Sequence, residues 1–191
     1  LTRDDCRPDN PAAARGKRPL RKILIAVVLS VLPSTLLVGQ GSIDPDVESL
    51  LRRLFPDAAS FAPKGGNPPH FKVYGAAVDG AEPRLVGLAY WTTELEPLER
   101  GYDGPIKMLV GMDTNGVLAG IIVTEQHEPY GDFSVEPPAF AKQFEHKSIR
   151  DPFRVGDDID AVSRATISVT SATRAVRNSS RRIARALLKP P

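Results

Sequence analysis

The run Asp160-Ala161-Val162-Ser163-Arg164-Ala165-Thr166-Ile167-Ser168 gathers three hydroxyl side chains just ahead of a long amphipathic stretch. Hydroxyls at the start of a helix usually act as caps, because Ser and Thr accept from the free N–H groups of the first turn. Other reactive residue types are sparse. His127-Glu128 has no second His four positions on, which excludes the zinc protease helix, and His127 by itself reads as a polar strand end. No Gly-x-Gly-x-x-Gly follows a strand, Lys64-Gly65-Gly66 lacks the Gly-Lys-Ser/Thr of a phosphate loop, and no Gly-x-Ser-x-Gly is present. One Cys and three His give no disulfide framework and no Cys or His metal cluster. Neither a catalytic residue nor a metal-ligand set is predicted.

The elements that must position the hydroxyl run are legible on both sides of it. Asp44-Pro45-Asp46 opens a helix in which Val47, Leu50, Leu51 and Leu54 recur at helical spacing before Pro56 stops it. Short strands are predicted at Phe71–Tyr74, Ala76–Asp79 and Arg84–Thr92. Lys107–Met112 and Val117–Thr124 flank Asp113-Thr114-Asn115-Gly116, and Asn-Gly between β-branched runs marks a hairpin. A helix is expected over Pro138–Lys147, with Phe140 and Phe144 on one face. A last helix runs from about Ser168 to Leu188. Ala172, Val176, Ile183 and Leu187 line its inner side, and Arg174, Arg177, Arg181 and Arg185 line a solvated or lipid-facing side. The predicted fold class is α+β, a small antiparallel sheet with flanking helices, preceded by one amino-terminal apolar helix.

The segment Ser163-Arg164-Ala165-Thr166 resembles the Ser/Thr-Gly-Ala-Thr motif of the FMN-binding domain family, whose last Thr receives FMN through a phosphoester. Such domains occur in the Rnf and sodium-pumping quinone reductase complexes and in the NosR/NirI family of nitrous oxide respiration. Gly101-Tyr102-Asp103-Gly104-Pro105-Ile106 and His127-Glu128-Pro129-Tyr130-Gly131 match the same domain in order. Residues 133–140 and 148–153 are similar to the amino-terminal periplasmic flavin domain of the NosR/NirI branch. The resemblance spans about residues 44–188. It implies covalent FMN on Thr166, with Ser163, Arg164 and Ala165 around the phosphate. Tyr102, Gly104, Pro105 and Ile106 would line the ring or ribityl pocket, with His127 and Glu128 close by. The chemistry suits these residues: an ester needs an aliphatic hydroxyl, small Ala165 lets backbone approach phosphate, and a helix start attracts an anion. Arg164 stands where the common motif has Gly. A left-handed φ is costly there, so a differently shaped turn is expected, with a guanidinium available to the phosphate. Ser171-Ala172-Thr173 repeats part of the pattern inside the predicted helix and is taken as a decoy.

Charge is distributed unevenly. The 25 basic and 23 acidic residues leave +2, yet residues 23–173 alone carry −8, between basic ends. Residues 1–22 read as a disordered basic cytoplasmic segment. Residues 23–41 read as a signal peptide or membrane anchor, with the uncharged run 23–38 meeting the bilayer, and residues 42–191 as the flavin domain. The expected location is therefore periplasmic, secreted or anchored to the inner membrane. A role as electron carrier is expected rather than as an enzyme by itself. Implied partners are a flavin transferase for maturation and a periplasmic or membrane redox partner, such as the nitrous oxide reductase system. An acidic, exported body argues against nucleic acid. The alternative is a non-catalytic regulatory or assembly module of the same fold. NosR-type proteins continue into membrane spans and an iron–sulfur part, so a fragment or a stand-alone flavin domain is expected.

Overall fold

The computed structural model describes residues 42–77 and 81–188. The expected segments 1–22 and 23–41, and with them the apolar helix, lie outside the described residues. Among those described, no helix is long and apolar enough to cross a membrane.

Helix α1, Pro45–Leu54, starts as its sequence demands: the Asp44 carboxylate accepts from Asp46 N at 2.9 Å, and Pro45 occupies the first turn. Five strands follow in antiparallel order, each paired with its sequence neighbours: β1 Ser60–Phe61, β2 Phe71–Tyr74, β3 Leu85–Trp91, β4 Lys107–Asp113 and β5 Leu118–Glu125. The β4–β5 turn is held by Asp113 Oδ1, which accepts from Asn115 N and Val117 N, both at 2.8 Å, while Gly116 takes φ +81°.

Period-two alternation divides the central strands between two cores. Leu88, Tyr90, Met108, Val110 and Met112 face the long helix α5, Thr166–Leu187, together with its Val169, Ala172, Val176 and Ile183. Ala89, Trp91 and Leu109 face α1 through Leu51 and Leu54. The result is helix, sheet, helix in three layers. On the α1 side a Cβ at Gly87 or Gly111 would lie 2.7 or 2.8 Å from the Phe55 ring, so these glycines admit the ring against the sheet. On the α5 side Ser179 and Ser180 return their hydroxyls to carbonyls of their own helix, and Tyr90 Oη donates to Ser180 Oγ at 2.7 Å.

The α+β class and the antiparallel sheet agree with the sequence reading, and several details differ. No strand forms over 75–77, and residues 78 and 79 lie outside the described residues. Tyr74 pairs with Leu85, where β3 begins, and beyond it Gly75 N reaches across to Arg84 O at 2.9 Å. The helix expected over 138–147 stops early. Helix α3 is Gly131–Ser134 and α4 only Pro138–Lys142. His146, at φ +63°, then turns the chain onto the edge of β5, where His146 N donates to Leu118 O and Leu118 N to Lys147 O. Phe140 and Phe144 remain buried together, ring centroids 5.2 Å apart, with Phe153 stacked 6.3 Å beyond Phe144. Leu187 is 37 % exposed rather than part of the inner stripe. The arginines are not all solvated: Arg174 pairs with Glu99 at 2.6 Å, and Arg181 donates to the carbonyls of Ile149 and Asp151. Short helix α2, Thr92–Leu95, accepts Arg182 at Leu95 O, which ties α5 to the end of β3. Ser171, Ala172 and Thr173 are buried within α5.

Candidate functional site

Glu128 is where three distant segments meet. The residue follows β5, is only 6 % exposed, and accepts from Tyr102 N at 2.8 Å, Asp103 N at 3.1 Å and the Ser168 hydroxyl. The loop it holds is closed on itself by Gly101 N donating to Gly104 O at 2.7 Å. Gly101 must lack a side chain, because a Cβ there would collide with the Glu128 carboxylate. Glu128 N donates in turn to Gln126 Oε1 at 2.5 Å, and Gln126 Nε2 donates to Glu136 at 2.6 Å. Burial, the largest single influence, pushes the Glu128 pKa up. The Ser168 hydroxyl and the N–H groups of Tyr102, Asp103 and Gly104 together outweigh it and hold the carboxyl below its ordinary value. Glu128 is a fixed anion that docks the 101–104 loop onto the first turn of α5.

That first turn has an unusual start. The N-cap is Ala165, which has no oxygen to offer, and no side chain caps the helix. Capping, the ordinary use of such a hydroxyl run, is therefore not what Ser163 or Thr166 does here. The first-turn N–H groups lack intrahelical acceptors and carry the positive end of the dipole. The turn before it, closed by Ala165 N to Val162 O at 3.1 Å, puts Arg164 at φ +67°. This corrects the expectation of a differently shaped turn: the backbone adopts the left-handed conformation that Gly would favour, in spite of the Arg side chain. Buried Ala165, anchored in the α5 core, fixes the turn from below. Arg164→Gly is expected to raise the unfolding free energy by about 0.5–1 kcal/mol, the relief of a left-handed L-residue less the extra freedom of the unfolded glycine. A urea melt of the two proteins checks it.

Thr166 is exposed at the first position of α5 and borders a cleft of about 450 Å3. Arg164, Ala165 and Ser168 line the same side, and Tyr102, Pro129, Tyr130 and Ile167 line the rest. The size is in the range of small-ligand sites, about 300–1,000 Å3. Its rim is apolar where solvent should favour polar groups: Tyr102 is 71 % exposed, Ile167 57 %, and Phe133 packs on Tyr130 with centroids 5.3 Å apart. One end thus offers uncapped N–H groups, a hydroxyl and a guanidinium, and the other offers flat aromatic surface. A phosphate bearing a planar ring system fits both. Residues 101–180 match the FMN-binding domain. No curated protein compared with the chain matches it. The FMN-binding domain match supports FMN as the cofactor. Its span opens at Gly101, takes in β4, β5 and Glu128, and closes at Ser180 within α5, so α1 and β1–β3 lie outside it.

The structure brings together Tyr102, Glu128, Arg164, Ala165 and Thr166 of the residues expected from sequence. Gly104 is buried in the Glu128-held loop, and a Cβ there would meet open space. Ile106 packs in the α5 core, while Pro105, His127 and Ser163 are exposed and do not border the cleft. Sequence reasoning missed Pro129, Tyr130, Ile167 and Ser168. Ser168 carried a signal, since a Ser two positions after an exposed Thr on a helix start lies on another side of the helix.

Proposed function

We propose that this protein is an FMN-binding electron carrier in which Thr166 holds the flavin through a phosphoester on the periplasmic side of the membrane, in support of nitrous oxide respiration. The observation that carries the reading is the uncapped start of α5, with an exposed threonine hydroxyl on the cleft beside a left-handed Arg164. The helix terminus and the Arg164 guanidinium would balance the single negative charge of the phosphodiester formed on Thr166. Tyr102, Tyr130 and Ile167 would shelter one face of a ring from water. The ionised Glu128 acts on position rather than on charge transfer, keeping the loop and the helix start in one register. Bound FMN supplies a ring that takes up and releases electrons; the chain supplies its place and its electrostatic surroundings.

Attachment replaces the Thr166 O–H by an O–P bond. The proton is released, and a phosphoanhydride bond in an activated flavin donor, delivered by a transferase, breaks to provide the leaving group. The periplasmic assignment rests on the basic-then-apolar order of residues 15–38, and the respiratory one on the likeness of residues 133–140 and 148–153 to the NosR branch.

The full chain co-expressed with a flavin transferase is expected to carry one FMN in its denatured mass and to stay yellow after denaturation and filtration. Thr166→Ala should lose both. A wild-type mass without the FMN increment would overturn the covalent link, and absence of any flavin absorbance would overturn the FMN reading. A topology reporter fused after residue 45 should report the periplasmic side.

A further inference from the structure

Away from the cleft, the C-terminal turns of α5 form one wall of a second groove of about 960 Å3. The β4–β5 turn and residues 148–150 form the others. At 1.5 Å per residue, Arg185 is about 28 Å along the helix from Thr166, so the two sites do not overlap. The floor is apolar, made by Val117, Ile149, Ala184 and Leu188, and three arginines, Arg150, Arg181 and Arg185, stand around it. Arg181 is half-buried and held in one orientation, Nε donating to Ile149 O at 2.9 Å and Nη2 to Asp151 O at 2.7 Å. Both acceptors are neutral. Among the described residues none of the three arginines forms an ion pair, whereas Arg52 and Arg174 do. Burial, and then the like charges of Arg177 and Arg185, pull the Arg181 pKa below its usual value. A partly desolvated cation with no counter-charge is unfavourable, and an anion that meets its remaining donors relieves it.

We propose that this groove docks an acidic segment of a partner protein, a peptide that brings carboxylates to Arg150, Arg181 and Arg185 and an apolar side chain to the floor. Charge complementarity selects carboxylates, and the apolar floor selects a chain with side chains of both kinds. A lipid surface suits the site less well, because a headgroup plane meets protruding cations, whereas Arg181 is recessed against two backbone carbonyls. The groove shares no residue with the flavin cleft, so the proposal is independent of the cofactor reading.

The test uses the purified full chain and a fluorescent peptide of alternating Glu and Leu residues, followed by anisotropy at low salt. Wild type should bind, and Arg150→Glu/Arg185→Glu should bind at least about tenfold more weakly with an unchanged melting temperature. Arg53→Glu/Lys72→Glu makes the same change in net charge on exposed residues elsewhere and should bind like wild type. No binding by wild type, equal loss in both double variants, or binding to phosphatidylglycerol vesicles without binding to the peptide would each overturn the proposal.

Discussion

Glu128→Ala is expected to lower the unfolding free energy by about 3–4 kcal/mol and to reduce flavin content with it. Hydrogen bonds to a charged acceptor contribute roughly 1.5–3 kcal/mol each, and they do not add fully. Truncation leaves the buried Ser168 hydroxyl and the N–H groups of Tyr102 and Asp103 without their shared acceptor. Water entering the space would recover part of the loss. Glu128→Gln should fall between the two, because its amide keeps one oxygen but turns N–H donors toward groups that are themselves donors. Urea denaturation gives the stabilities, and absorbance after co-expression gives the flavin content. A pH series supplies an independent check. The native pKa of Glu128 is depressed, so its contribution is complete above the ordinary unfolded value of about 4.3 and is lost as pH falls through the native value. The gap between wild type and Glu128→Ala should therefore be constant near neutrality and narrow in acid. A gap that widens in acid would contradict an ionised Glu128.

Phe144→Ala should cost about 4 kcal/mol, the range for deleting a buried phenyl ring. Phe144 is fully buried between Phe140 and Phe153. It belongs to the same core as Ile159 and Ala165, the inner residues of the segment that leads to Thr166. The loss should thus appear first as lower flavin incorporation on co-expression with a transferase and then as a lower urea midpoint. Phe144→Leu, which refills most of the volume, should restore most of both. If Phe144→Ala retained full stability, the aromatic stack would not be holding the lead-in to α5.

What could be read in the sequence was what depends on near neighbours. The Asp44 cap, the Asn-Gly turn and the two strands that flank it each rest on residues a few positions apart, and each is in the structure. The limits of α4 were not legible, because they depend on a pairing between His146 and Leu118 across 28 positions. The site shows the same division. Thr166 and Arg164 belong to one short motif. By contrast Ser168 gains its role only from Glu128, forty residues away, and Tyr130 only from facing the start of α5. Arg164 shows a further limit: its residue type argued against the left-handed turn, and the packing of Ala165 beneath it prevailed.

The strand order of the sheet sets a sequence for the folding of the molecule. Each strand pairs with its neighbour in the chain, and the tight β4–β5 turn, with Met112 opposite Leu118, can assemble early. The cleft beside Thr166 depends instead on contacts that span 25 to 40 residues, all through one carboxylate. It is expected to form late and to open first. Native-state hydrogen exchange should find the Tyr102 and Asp103 amides exchanging through local opening while those of β4 wait for global unfolding. On the function proposed above, the contact of Ser168 with Glu128 would decide when Thr166 is in place on the cleft.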